Sequence, residues 1–124
     1  MEGHRWIVCG GRDFTDRAFV RLKLDEIRAE RGTPTFVISG GARGADTLAE
    51  EWRRDCLLPG VVLEADWDAH GRSAGHKRNS LMLTSLRLFK AARKLVIAFP
   101  GGDGTADMVE QAEAAGVEVL KVEP

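Results

Sequence analysis

Three short apolar runs in this chain each empty into a glycine cluster: Val8-Cys9-Gly10-Gly11, Val37-Ile38-Ser39-Gly40-Gly41-Ala42-Arg43-Gly44, and Val96-Ile97-Ala98-Phe99-Pro100-Gly101-Gly102-Asp103-Gly104-Thr105. Runs this short and this rich in sheet formers read as buried strands. A glycine after a strand lets the backbone turn tightly and lets bare N–H groups approach a ligand, and a helix starting just beyond adds positive dipole. If the three strands are parallel neighbours, all three loops open at one sheet edge, where open α/β folds bind their ligands. The repetition points to one site, of a kind that suits phosphate.

The elements between these loops alternate. A strand over 5–9 precedes a helix over 16–31, striped by Val20, Leu24 and Ile27, with Thr15 or Asp16 as its cap and Gly32 and Pro34 as its stop. A strand over 35–39 leads to a helix over 45–57 carrying Leu48, Trp52 and Cys56, closed by Pro59-Gly60. A third strand follows over 61–63, or as far as 65, then a polar glycine-containing stretch over 66–75. A helix over 76–92 buries Met82, Leu86 and Phe89; a strand over 94–99, a helix over 105–115 ended by Gly116, and a strand over 117–122 complete the chain.

Strands separated by helices imply a parallel sheet with right-handed crossovers. The expected fold is an α/β Rossmann-like three-layer sandwich with a five-stranded parallel sheet in the order 3-2-1-4-5. In that order the first and fourth strands are adjacent and the chain reverses direction across the sheet between them, placing the crevice beside Gly10-Gly11 and Pro100-Gly101-Gly102. No linker, low-complexity tract or second domain is visible, so 1–124 reads as a single domain.

Composition narrows the class further. A chain of 124 residues, 44% apolar, can bury a core without disulfides or metal. No apolar run approaches the roughly 20 residues that span a bilayer. Met1-Glu2-Gly3-His4-Arg5 leads into a strand rather than a signal-peptide core, so a cytoplasmic location is expected. Cys9 and Cys56 lack CxxC spacing and read as core thiols. His4, His70 and His76 show no metal-ligand spacing with each other or with the cysteines, and no metal site is expected. The net charge is −1, but Ala69 to Gly102 holds no Asp or Glu. Within it Arg87, Lys90, Arg93 and Lys94 read as a solvated helix end complementing its dipole. Arg72, Lys77 and Arg78 instead fall among Gly71, Ser73, Ala74 and Gly75, entering a helix, where positive charge favours an anionic ligand.

Cys9-Gly-Gly-Arg-Asp-Phe14, Ser39-Gly-Gly-Ala-Arg-Gly-Ala-Asp46, Ala65-Asp-Trp67, Ala74-Gly75 with Arg78-Asn79, and Phe99-Pro-Gly-Gly-Asp-Gly-Thr-Ala-Asp-Met108 together resemble the YspA-like, YpsA-related branch of the SLOG superfamily. The resemblance runs through nearly the whole chain. That superfamily also contains the cytokinin-activating LOG phosphoribohydrolases, the molybdenum cofactor carrier proteins and the DNA-processing protein of natural transformation. It implies a Rossmann-like fold binding a nucleotide or nucleotide-derived ligand, without naming the ligand.

The candidate ligand-binding residues are Gly10, Gly11, Arg12, Ser39, Gly40, Gly41, Gly44, Asp46, Arg78, Asn79, Pro100, Gly101, Gly102, Gly104 and Thr105. Several have bland alternatives. The glycines serve tight turns in any case; Thr105 either caps the last helix or joins the Gly102 and Gly104 amides on a phosphate. Asp46 either complements a helix dipole or meets a ribose hydroxyl. Arg12 either pairs with Asp13 or faces the crevice. Trp67 reads as a packing residue before a base-stacking platform. In the LOG enzymes an arginine on the corresponding helix and a glutamate after Pro-Gly-Gly-x-Gly-Thr serve N-glycosidic hydrolysis. Arg78 resembles that arginine, but Met108 stands at the glutamate position, and a thioether moves no proton. Asp107 or Glu110 would have to substitute, and one residue along a helix rotates a side chain by about 100°.

Three functions follow. The first is a sensor or carrier module binding a nucleotide, nucleotide sugar or ADP-ribose-like molecule through the three loops. The second is a hydrolase or transferase on such a molecule, with Arg78 orienting phosphate and Asp107 or Glu110 as acid or base. The third is a single-stranded DNA-associated module, disfavoured because the basic segment offers only Phe89 and Phe99, both expected to be buried. Neither a Walker motif nor a Gly-x-Ser-x-Gly elbow is present. No cofactor is identified by the residues beyond the expected nucleotide-derived ligand, and magnesium is compatible with a bound diphosphate. The apolar density of Leu81, Met82, Leu83, Leu86, Leu88 and Phe89 exceeds one buried face and suggests a homodimer or larger assembly.

Overall fold

Period-two burial along the central strand sets the layering. β1 (His4–Cys9) is buried along its whole length; Trp6 and Val8 point into one apolar cluster, Ile7 and Cys9 into the other. This is the pleat of a strand covered on both faces. The structure, a computed structural model, describes residues 3–88, 90 and 92–124. Five parallel strands lie in the order 3-2-1-4-5: β1, β2 (Phe36–Ser39), β3 (Gly60–Val62), β4 (Arg93–Ala98) and β5 (Glu118–Lys121). β1 and β4 pair over their full length, from His4 opposite Arg93 to Cys9 opposite Ala98.

Helices α1 (Arg17–Arg31) and α2 (Ala45–Asp55) cover one face. The expected stripe Val20, Leu24 and Ile27 is the buried face of α1. Asp16 caps it by accepting from Phe19 N–H at 3.0 Å, and Gly32 ends it. Trp6 of β1 and Trp52 of α2 stack at 6.0 Å between ring centres, and the Trp52 indole N–H donates to Asp25 of α1 at 2.8 Å. Cys9 is buried, whereas Cys56, just past α2, is only half-buried against the core rather than within it.

The other face carries α4 (Ala74–Arg87) and α5 (Asp103–Ala114), with Met82, Leu83, Leu86, Met108, Val109 and Ala112 packed on Ile7, Ile38 and Val96. The polar stretch after β3 is not a plain loop. Asp66 accepts from Ala69 N–H at 3.0 Å and caps a short helix, α3 (Trp67–His70). A single 3-10 turn over Gly71–Ser73 follows, so α4 begins at Ala74 and ends at Arg87 instead of running over 76–92. Hydrogen bonds within a few residues, which composition does not show, organise this segment. Phe89 and the side chain of Arg72 lie outside the described residues. Leu81 on α4 and Leu88 just past its end are exposed, while Met82, Leu83 and Leu86 are buried. Among the described residues no helix is long and apolar enough to cross a membrane.

One turn fixes where α2 begins. Gly44 holds φ +80°, and a Cβ there would run into the carbonyl oxygens of Gly11 and Arg12. Gly44→Ala is therefore expected to destabilise the fold by about 2–4 kcal/mol through backbone strain and displacement of the first loop. Urea unfolding followed by tryptophan fluorescence checks it; an unchanged midpoint would show that the turn has room to relax.

Candidate functional site

The three glycine loops are fastened to each other at the C-terminal edge of the sheet. Gly11 N–H donates to Pro100 O at 2.8 Å, tying the first loop to the third, and Gly11 O accepts from Ala45 N–H at 3.1 Å, tying it to the second. The approach tolerates no side chain: a Cβ on Gly10 would lie 2.5 Å from Ala45 Cβ, and one on Gly11 would lie 2.8 Å from Gly101 Cα. Between the loops and the start of α4 opens a cleft of about 330 Å³.

Ten expected residues line this cleft: Gly10, Gly11, Arg12, Gly40, Asp46, Arg78, Asn79, Gly102, Gly104 and Thr105. Gly41 and Glu64 border an adjoining recess that shares Arg12, Gly40, Ala42, Trp67 and Arg78 with the cleft. Ser39, Gly44, Pro100 and Gly101 stand behind the wall. Ser39 is buried in β2, Gly44 turns the chain, and Pro100 supplies the carbonyl that Gly11 uses. Glu110 faces away, toward a hollow bordered by Lys121 and Glu123. Thr105 is not the cap of α5, because Gly102 occupies that position and no side chain caps the helix.

Arginines frame the cleft. Arg78 donates from Nη1 to Gly40 O and from Nε to Asn79 Oδ1, using two of its five N–H groups. Gly40 makes room for it, since a Cβ there would meet the guanidinium at 2.5 Å. Arg12 does not pair with Asp13, which lies 3.8 Å from Arg43 instead. The Arg12 guanidinium sits 5.4 Å from the centre of the Trp67 ring, a cation–π distance. Trp67 is 48% exposed at the cleft mouth, so it is a rim residue and not a packing residue. The sequence reading also missed Asp103, Met82 and Gly75 in the lining. Asp103 stands next to the glycine pair and Gly75 within the Ala74-Gly75 motif, whereas Met82 carries only the spacing of a core residue.

Two carboxylates have opposite environments. Asp46 is 4% exposed; its Oδ2 accepts from Ala42 N–H at 3.2 Å. Burial pushes its carboxyl up to about 6, against the Ala42 hydrogen bond and the charges of Arg78 and Arg12. Burial likewise pushes the neighbouring Cys9 thiol up to about 12, helped by the charge of Asp46 and opposed by Arg78. Asp107 stands outside the lining. Its Oδ1 pairs with His76 Nδ1 at 2.8 Å, and its Oδ2 accepts from Asn79 at 3.0 Å and Gln111 at 2.8 Å. Burial pushes it up, but these hydrogen bonds prevail and hold it below its ordinary value. Met108, where a LOG-type glutamate would stand, is fully buried in the core.

A family model described as the YspA, cpYpsA-related SLOG family matches residues 4–70, from β1 through α3. The chain belongs to this family. It is also similar to Gene 61 protein of Mycobacterium phage D29, at 31% identity over 123 residues and 94% of each chain. The family match thus takes in the first two glycine loops, and the similarity to the phage protein extends over nearly the whole fold.

The environment of Asp46 sets a pH dependence. With its native carboxyl raised from 3.8 to about 6, the folded state binds more proton than the unfolded state between those values. The Asp46 contribution to stability therefore falls as pH rises across that window and is level above it. Asp46→Asn is expected to remove this slope, matching the wild type near pH 4 and exceeding it at pH 8 by on the order of 1–3 kcal/mol. Urea titrations at both pH values test this. A variant less stable than wild type at pH 8 would mean that attraction to Arg78 and Arg12 outweighs desolvation.

Proposed function

We propose that the cleft binds a nucleotide or nucleotide-derived phosphate ligand without turnover, as a sensor or carrier module. Membership in this family points to nucleotide-related ligands in general. The observation that carries the reading for this chain is the start of α5. A twelve-residue helix opens into the cleft with glycine in its capping position and no side-chain cap, across from Arg78 and Arg12. The first-turn N–H groups of a helix have no intrahelical acceptor, and the dipole there favours negative charge. Side chains added at Gly102 or Gly104 would meet open space, so neither glycine is demanded by packing. Their small size keeps the amides approachable.

The placement of the α5 carboxylates supports binding over hydrolysis of the LOG type. Hydrolysis of the LOG type would need an acid or base in place of Met108. Asp107 itself lies outside the lining, where hydrogen bonds with His76, Asn79 and Gln111 hold its carboxyl below its ordinary value, and Glu110 faces another hollow. Neither is placed to exchange a proton with a ligand in the cleft.

A thermal-shift series with AMP, ADP, ATP, GTP, NAD, ADP-ribose and the remaining nucleoside monophosphates is the direct test. A ligand at 100 times its dissociation constant adds about 2.7 kcal/mol, a rise of several degrees for a domain of this size. Arg78→Ala is expected to abolish the shift while leaving the fold intact, because the side chain is half-buried at the cleft and not in the core. No shift with any compound would overturn the proposal, and a shift undiminished in Arg78→Ala would place binding elsewhere.

A further inference from the structure

One oxygen in the cleft has no donor. Asp46 Oδ2 is served by Ala42 N–H, but Asp46 Oδ1 is buried with no hydrogen-bond partner among the described residues. The guanidinium beside it directs its bonds to Gly40 O and Asn79 Oδ1. A buried carboxylate oxygen left unpaired costs stability, and native structures rarely keep one without a partner supplied from elsewhere. Asp46 lines the cleft, so that partner can come from a ligand.

The surroundings define the donor. Arg12 and Arg78 already place two positive charges around the carboxylate, so a cationic ligand group would be repelled where a neutral donor is not. The flat apolar surface that a base would use is at the mouth, on half-exposed Trp67, where the cleft meets its side recess. Asp46 instead sits beside Gly40, next to the backbone. A neutral O–H near a phosphate and below a base is a sugar hydroxyl.

We propose that Asp46 Oδ1 accepts a hydrogen bond from the 2,3-diol of the bound phosphate ester's sugar, so that the cleft selects ribonucleotides over nucleotides lacking that diol. This rests on the phosphate-ester reading of the cleft and adds to it a selectivity and the residue that sets it. The ligand's phosphate lies at the start of α5, its sugar over Asp46, and its base toward Trp67.

The test uses the four nucleoside monophosphates, each paired with its 2′,3′-dideoxy form, and inorganic phosphate as a probe free of sugar and base. Amide chemical-shift titration gives each dissociation constant and locates the perturbed residues. Comparison within a pair cancels any preference for the base. The wild type is expected to bind the ribose form at least about tenfold more tightly than its dideoxy partner, the range of a hydrogen bond to a charged group. In Asp46→Ala that ratio falls to near one while inorganic phosphate still binds. Asp46→Asn, which keeps an acceptor for Ala42 N–H, also lowers the ratio and decides the matter if the alanine variant does not fold. Equal binding within each wild-type pair overturns the inference and leaves the phosphate reading standing, as does a ratio unchanged in the variants. Failure of every probe, inorganic phosphate included, overturns both.

Discussion

The backbone of Gly11 is the point on which the rest of the site depends. Its N–H and C=O bind the third and second loops respectively, and Phe14 N–H also donates to its carbonyl at 3.2 Å. One peptide group on each side of a single residue thus joins strands β1, β2 and β4 at their common edge. The joint is possible only because glycines meet there without side chains: Gly11 against Gly101, Gly44 against the Gly11 carbonyl, Gly10 against Ala45. Loops held in this way present their amides as fixed geometry, so little ordering entropy remains to oppose ligand binding.

Two helices begin at this edge, and they are not equivalent. α2 places the carboxylate of Asp46 in its own first turn, with the carboxylate accepting Ala42 N–H. That anion complements the α2 dipole from within the protein. α5 has only Asp103 in its first turn, and this side chain is exposed to water while Asp46 is buried. The internal anion therefore occupies one helix start and leaves the other as the more open place for an anion from solution. Position along α5 then separates the remaining groups: Met108 turns into the core, while Asp107 turns toward α4 and is taken up by His76, Asn79 and Gln111. Asn79 joins the two sets, donating to Asp107 and to Gly104 O and accepting from Arg78. The orientation of Arg78 is thereby linked to the first turn of α5.

Much of this was legible in the chain because it is local or periodic. The β1 alternation, the α1 stripe Val20-Leu24-Ile27 and the strand order follow from burial with period 2 or 3.6 and from parallel crossovers. The glycine clusters marked the edge where the cleft opens, since Gly10, Gly11, Gly44 and Gly101 stand where the loops approach too closely for a Cβ. What the chain did not disclose depends on contacts far apart in sequence. The electrostatic environment of Asp46 is shared with Arg78 and Cys9 from other elements, and the exposure of Trp67 follows from α3, whose single capping aspartate is a weak signal. The Asp107 cluster joins residues 28 and 31 positions apart, beyond any motif.

The cost of the site is concentrated in its least satisfied atom. Burial of Asp46 opposes ionisation, and the arginines that ease this do not give its Oδ1 a hydrogen bond. A domain with an apolar cluster on each face of its sheet can tolerate such a defect, whereas a smaller one could not. A polar group left unpaired in a cleft is destabilising in the free protein, and a ligand that supplied the donor would remove a penalty already present. Recognition of this kind discriminates by absence: a ligand without the donor fits the same space but leaves the carboxylate as it was.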